Sequence, residues 1–349
     1  MNTLPQLIAS KVTLQELFNR SRFPNGKSFS KKLLELDCDA EADRICAFIR
    51  QETLQNFRKK GVVVGLSGGI DSSTVVALAV RALGPDRVVA LLMPEKDSSA
   101  ETLQLSRQVA EHLGVKAILE DISAVLETSG CYRRRDDAIR LVVPEYGPGW
   151  KSKLVLPNAV NSDSLRIFSV VAQAPDGAQI TRPLNLEAHL GIIAATNFKQ
   201  RTRKMLEYYH ADRLNYAVAG TPNRLEYDQG FFVKLGDGAA DIKPIAHLYK
   251  TQVYQLAEYL RIPEVILNRP PTTDTYSLPQ TQEEFYFCLP YHAMDLVLYG
   301  KINGYAPAEI APELGLSSEQ VERAFRDIDA KRRVARYLHS PALLVENAN

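Results

Sequence analysis

From about residue 61 the apolar and polar positions settle into a strand–helix rhythm. Residues 61–66 form an apolar run of strand type, closed by a glycine-rich turn. The period then becomes helical, with Val75, Val76, Ala79, Ala82 and Leu83 on one face. The pattern predicts a helix over 72–83, a strand over 88–93, a helix over 100–113 and a strand over 115–119. It resumes as a helix over 187–209, a strand over 215–219 and a helix over 251–261. Ahead of it, residues 39–59 read as an amphipathic helix, with Ile45, Phe48 and Ile49 on one face. Repeated strand–helix units predict an α/β fold, a doubly wound parallel sheet with helices on both faces. In such a sheet ligands bind at the carboxyl ends of the strands, where residue 67 falls.

Residues 130–186 break this rhythm. They hold Pro144, Gly147, Pro148, Gly149 and Pro157, with strand-like runs at 153–156, 166–172 and 178–182. Pro175-Asp176-Gly177 joins the last two runs, so a hairpin and a β-rich insertion are expected. The organisation is then an N-terminal arm over 1–38, a main domain over 39–290 containing insertion 130–186, and a C-terminal helical extension over 291–349. Within the last, "YAPAEIAPELGLSSEQVERAFRDI" has a helix-turn-helix pattern with Gly315 in the turn. Its second helix, from Ser317, carries Glu319, Glu322, Arg323 and Arg326, a mixed face ill suited to phosphates. A packed helical hairpin is the favoured reading.

Composition narrows the picture. The 349 residues are 45% hydrophobic and 24% charged, with a formal net charge of +1. That balance makes no electrostatic case for nucleic acid or membrane. No apolar run approaches the ~20 residues of a transmembrane helix, and Met1–Ser21 lacks the apolar centre of a signal peptide. Cys38, Cys46, Cys131 and Cys288 are scattered without a Cys-x-x-Cys pair. Neither a zinc site nor a redox pair is expected, and a cytoplasmic location follows as an expectation.

Chemistry concentrates in residues 62–73, Val-Val-Val-Gly-Leu-Ser-Gly-Gly-Ile-Asp-Ser-Ser. A strand, a glycine-rich turn and a helix N-terminus form an anion site, because free backbone N–H groups and the helix dipole both face the ligand. Asp71 fits beside phosphate only if a cation such as Mg²⁺ bridges the two. The Gly-x-x-x-x-Gly-Lys loop of common mononucleotide sites is absent. The run resembles the SGGxDS loop of the N-type ATP pyrophosphatases, which cleave ATP between the α- and β-phosphates. A second set of residues runs from Gly220-Thr-Pro-Asn-Arg-Leu-Glu226 through Gly230–Gly238 and Asp241-Ile-Lys-Pro to Leu248-Tyr-Lys250. Together with the loop, it resembles the ammonia-dependent NAD synthetase family, from about residue 39 to 275 and more loosely to 333.

The resemblance implies roles position by position. Gly65, Leu66, Ser67, Gly68, Gly69, Ile70, Asp71 and Ser72 would hold ATP, together with Thr221, Lys250 and Thr272. Asp71 and Glu226 would bind Mg²⁺, and Asp71 and Lys250 would carry catalysis. Asn197 and Arg201, in "NFKQR", with Lys234, Asp237, Asp241 and Lys331, would contact the dinucleotide. The implied reaction is amidation of deamido-NAD to NAD through an acyl-adenylate, with AMP and pyrophosphate released. Residues 1–60 are too short for a glutaminase domain, so free ammonia, or ammonia from a separate glutaminase, is the expected nitrogen donor. A homodimer is implied, with Phe231-Phe232 and the 187–209 helix as candidate contacts. The residue types suit this chemistry: paired carboxylates hold a cation, a lysine neutralises a leaving pyrophosphate, and an arginine grips phosphate or carboxylate. The chain departs from the family at Ala330-Lys331, where members carry His-Lys. Arg133, Arg134, Arg135, Arg140, Trp150 and Lys151 of the insertion are candidates to replace that contact. Two other readings are an amide ligase acting on a different carboxylate and a non-catalytic nucleotide-binding paralogue.

Overall fold

A computed structural model describes residues 28–157, 160, 167–272 and 275–346, with the side chains of Ala100 and Glu283 left aside. Most of the expected N-terminal arm, and part of the 166–172 run, lie outside the described residues. The first long helix, α1 (Cys38–Arg50), is capped by Asp37, which accepts from the Ala40 N–H, and it widens into a looser turn over Gln51–Asn56. It buries Ile45 and Ile49, whereas Phe48 is 41% exposed. Three residues advance a helix by about 300°, which sets Phe48 to the side of the stripe.

Four parallel strands follow the predicted rhythm: β1 (Val62–Gly65), β2 (Val88–Leu92), β3 (Lys116–Leu119) and, much later, β7 (Ala217–Val218). Their order is β3-β2-β1-β7. Central β1 shows why its residues are uniformly apolar. Val62 and Val64 enter one core with Ile45, Val75, Val76 and Leu256, and Val63 enters the other with Leu91, Ile122 and Leu126. A strand covered on both faces has no polar side. The helices are α2 (Ile70–Leu83), α3 (Ala100–His112), α4 (Ser123–Thr128) and α5 (Cys131–Arg140). The stretch from 130 therefore opens as a helix, not as strand or loop. It then forms an antiparallel sheet of β4 (Lys151–Val155), β5 (Ser169–Gln173) and β6 (Gln179–Pro183). The expected hairpin closes with Ala174 N–H on the Ala178 carbonyl at 2.8 Å.

Helix α6 (Leu186–Leu214) starts at its Asn185 cap and crosses the molecule. After β7 come α7 (Arg224–Gln229), α8 (Lys250–Tyr259), α9 (Tyr291–Ile302), α10 (Pro307–Leu314) and α11 (Ser318–His339). The α10–α11 pair is a packed hairpin: Ile310, Ala311, Val321, Ala324 and Ile328 share a core with Met294, Val297 and Leu298. No helix among the described residues is long and apolar enough to cross a membrane.

Candidate active site

The turn after β1 is fixed by what surrounds it. Gly68 has φ +69°, and a Cβ there would sit 2.9 Å from the Thr102 carbonyl of α3, so glycine is required on both counts. A Cβ on Gly65 would lie 2.9 Å from Glu207 Oε1. Ser72 Oγ donates to the Gly69 carbonyl at 3.1 Å and accepts from the Ser67 N–H at 3.2 Å, drawing the turn onto the helix. Helix α2 begins two residues earlier than expected, and no side chain caps Gly69. Asp71 and Ser72 thus occupy the first turn, where uncapped amides favour an anion.

Asp71 faces the first residue of α8. The Lys250 ammonium is buried and forms an ion pair with Asp71 Oδ2. Asp71 Oδ1 accepts from Asn223 Nδ2 at 3.0 Å. Asn223 in turn caps α7, accepting from the Glu226 N–H at 3.2 Å, while Glu226 Oε2 accepts from the Asn223 N–H. Gln282 Nε2 reaches Glu226 Oε1 at 3.3 Å. Burial and the neighbouring Asp71 push the Glu226 carboxyl up to about 8. Burial pulls the Lys250 ammonium down, but Asp71 and Glu226 outweigh it and the net shift is upward. Two carboxylates confined in this way suit a divalent cation. No cluster of three or more His, Cys, Asp or Glu side chains that could hold a metal exists among the described residues. A Mg²⁺ held by these two carboxylates would complete its shell with water or with ligand oxygens.

Helix α8 is itself anchored from below. Buried Asp295, on α9, accepts the Lys250 N–H at 3.2 Å and the Thr251 N–H at 2.6 Å. Burial pushes this carboxyl up to about 7.

These groups open onto a cavity of about 600 Å³. Every expected ATP residue except Gly68 lines it: Gly65, Leu66, Ser67, Gly69, Ile70, Asp71, Ser72, Thr221, Lys250 and Thr272, with Glu226 beside them. The expected dinucleotide residues divide. Asn197 and Asp237 line the cavity, whereas Arg201, Lys234, Asp241 and Lys331 do not. Asp237 accepts the Val233 N–H at 2.7 Å, and burial raises its carboxyl. Arg201 Nε donates to the Lys234 carbonyl at 3.3 Å. Lys234 Nζ donates to the Tyr337 and Ser340 carbonyls at the end of α11, 4.3 Å over the Tyr337 ring. Asp241 accepts the Val218 N–H at 2.7 Å and the Tyr208 hydroxyl at 3.2 Å. Lys331 Nζ donates to the Tyr286 carbonyl and Asp327 Oδ2, each at 2.6 Å.

None of the insertion's candidate cations lines the cavity, nor does Trp150. Arg133 and Arg140 pair with Asp137 on the same helix, Arg135 is buried against Asp97 and Asp136, and Trp150 packs on Tyr146. The segment before β5 delivers Phe168 to the wall instead. Phe168 stacks on His189 with centroids 4.8 Å apart, and His189 Nδ1 is buried with no hydrogen-bond partner among the described residues. Burial pulls that imidazole down. Sequence reasoning also passed over Arg203, Glu207, Tyr254, Arg269, Gln282 and Asp295. Only Asn223 carried a local signal, the cap spacing Asn223-x-x-Glu226. Lys199, inside "NFKQR", is buried on Glu95 Oε1 at 2.8 Å, Asp97 Oδ2 at 2.7 Å and the Thr275 carbonyl at 2.7 Å.

The NAD synthase family model matches residues 41–141 and 166–335. The chain is 59% identical over 312 residues to the NH(3)-dependent NAD(+) synthetase of Mesorhizobium japonicum, covering 89% of this chain and 98% of that protein. It is 60% identical over 318 residues to the NH(3)-dependent NAD(+) synthetase of Rhizobium meliloti, covering 91% and 95% respectively. Among solved structures, the NMN synthetase from Francisella tularensis aligns with a TM-score of 0.62 at 22% identity, covering 89% of this chain and 99% of that one, a likeness of fold. The matched segments carry the anion turn, the α7 carboxylate and the α8 lysine, and on that ground the chain belongs to the NAD synthase family.

Proposed function

We propose that this chain is a ligase that amidates deamido-NAD to NAD with ammonia, using ATP as co-substrate. The observation that carries the reading is the buried Lys250–Asp71 pair beside Glu226 at the mouth of an uncapped helix N-terminus. In the first step the acceptor carboxylate attacks the α-phosphorus, giving an acyl-adenylate and pyrophosphate. The turn amides and α2 hold the phosphates, and Lys250 neutralises charge gathering on the leaving group. Asp71 and Glu226 would hold Mg²⁺, which would supply positive charge to the site when bound. In the second step ammonia attacks the acyl carbon and AMP leaves. A protein nucleophile is not needed. Cys46, Cys131 and Cys288 are buried and lie off the cavity wall. The intact Asp71–Lys250–Glu226 group favours turnover over a non-catalytic nucleotide-binding role.

Ammonia would enter directly or come from a separate glutaminase. Arg201, Lys234, Asp241 and Lys331 would reach the acceptor in a homodimer, by a rearrangement that frees the two lysines. The long helix supports assembly, because Leu186, Leu190, Met205 and Tyr209 along it are 73%, 56%, 56% and 58% exposed. The cytoplasm, whose reducing conditions suit a chain with scattered cysteines and no Cys-x-x-Cys pair, is the proposed location.

The test is formation of AMP and pyrophosphate from ATP and ammonia with deamido-NAD, nicotinate mononucleotide or small carboxylates. Turnover is expected with deamido-NAD. Turnover with another member of the panel and none with deamido-NAD would overturn the acceptor and leave adenylation standing.

A further inference from the structure

A second cation stands near the anion turn. Arg269 is half-buried and lines the same cavity as Ser67, Gly69 and Lys250. Its Nη2 donates to Thr102 Oγ1 at 3.1 Å, and no carboxylate pairs with it among the described residues. Thr102 is also the residue whose carbonyl abuts Gly68. The Arg269 backbone is fixed separately, by Tyr254, whose hydroxyl donates to the Arg269 carbonyl at 3.4 Å. Tyr254 lies one turn along α8 from Lys250 and stacks on Tyr291 with centroids 5.2 Å apart. Pro270 and Pro271 stiffen the chain directly after it. The guanidinium is therefore tied to the helix that buttresses the turn, and the Arg269 backbone to the helix that carries Lys250.

Charge accounting singles it out. Lys250, Arg203 and Arg269 are the Lys and Arg side chains lining the cavity among the described residues. Lys250 is paired with Asp71, and Arg203 Nε donates to the Met93 carbonyl at the end of β2. Arg269 alone combines a place beside the anion turn with an uncompensated charge. An oriented guanidinium with free donors is suited to two oxygens of one phosphate.

We propose that Arg269 binds the β- and γ-phosphates of ATP and stabilises the departing pyrophosphate. This rests on the ligase reading above. As the acceptor's carboxylate oxygen bonds to the α-phosphorus, the bond from that phosphorus to the bridging oxygen breaks. The electron pair leaves on pyrophosphate, and Arg269 meets that charge.

Arg269→Met, Arg269→Lys and Thr102→Val test this through steady-state kinetics and calorimetric titration of magnesium pyrophosphate into the intact protein. In Arg269→Met, kcat/KM for ATP is expected to fall about 10²- to 10³-fold, pyrophosphate affinity at least tenfold, and KM for the acceptor to stay within about twofold. Arg269→Lys, which keeps the charge, should recover most of the pyrophosphate affinity. Unchanged pyrophosphate affinity in Arg269→Met overturns the proposal. So does a Thr102→Val variant that reproduces the whole Arg269→Met loss, since the arginine would then be only a tie between segments. The pyrophosphate titration needs no acceptor, so a wild-type protein inactive on deamido-NAD would refute the named acceptor without deciding Arg269. If Arg269→Met is unfolded by circular dichroism, Arg269→Gln takes its place: a tenfold or greater affinity loss with Thr102→Val unaffected would support the assignment, and unchanged affinity in Arg269→Gln would refute it.

Discussion

Asp71 and Glu226 occupy a few ångströms of the cavity wall, yet substitution should affect them differently. Asp71→Asn leaves the buried Lys250 ammonium without its counter-charge, which typically costs about 3–5 kcal/mol. Glu226→Gln removes a carboxyl that its surroundings already push toward neutrality, so the fold should tolerate it. Both should lower turnover by about 10²- to 10⁴-fold if each helps to hold a cation on the phosphates. Thermal unfolding and steady-state kinetics on the same preparations separate the two effects. Near-normal turnover in either variant would remove that residue from the mechanism. The cavity-lining residues of the turn were readable because they follow one another in a strand, a turn and a helix. Glu226 and Lys250 came from family spacing. Their partners Gln282 and Asp295 lie in other parts of the sequence and leave no local mark.

At the scale of elements, the start of α8 hangs on Asp295. Its carboxyl is held near 7 inside the protein against about 3.9 in the unfolded chain. Between about pH 4 and 7 the folded state therefore keeps a proton that the unfolded state has released. Stability from this group falls as pH rises through that window. Asp295→Asn should flatten the decline. It should also lower stability at pH 5 by about 1–3 kcal/mol, because an amide cannot accept from both the Lys250 and Thr251 N–H groups as the carboxyl does. Urea midpoints of both proteins from pH 4 to 7.5 check this, and parallel curves would refute it. Element type was legible wherever one periodicity ran unbroken, as in β1 and α2. Over Cys131–Arg140 the arginines read as a solvated helix face, and with the aspartates they mask the buried face formed by Tyr132, Ala138 and Ile139. The "NFKQR" run shows a subtler limit. Alternate residues on a helix point about 200° apart, so Asn197 reaches the cavity while Lys199 is buried elsewhere.

At the scale of the whole molecule, the exposed apolar positions on α6 predict self-association. A Leu190→Lys, Tyr209→Lys double variant should be monomeric by light scattering where the wild type is dimeric. Its KM for deamido-NAD should rise while ATP binding holds. A monomeric, fully active wild type would end the dimer proposal. Assembly is the least legible level, since its residues look like ordinary surface or core until neighbours are in place. Phe231 illustrates this: it was a candidate contact between subunits, yet it packs on Tyr286 at 4.6 Å and lines the cavity.

Helix α7, which carries Glu226, is a short element clasped by a much later one. Arg332 of α11 grips Asp228 with Nε and Nη2, each 2.9 Å from a carboxylate oxygen, and His339 meets the Tyr227 carbonyl at 2.8 Å. A Cβ on Gly230 would come within 2.8 Å of Ala335. The order of synthesis then matters. A growing chain that has already released Asp71, Glu226 and Lys250 from the ribosome still lacks the helix that clasps α7. On this geometry the nascent protein can build its sheet early, whereas α7 gains these contacts only when α11 docks.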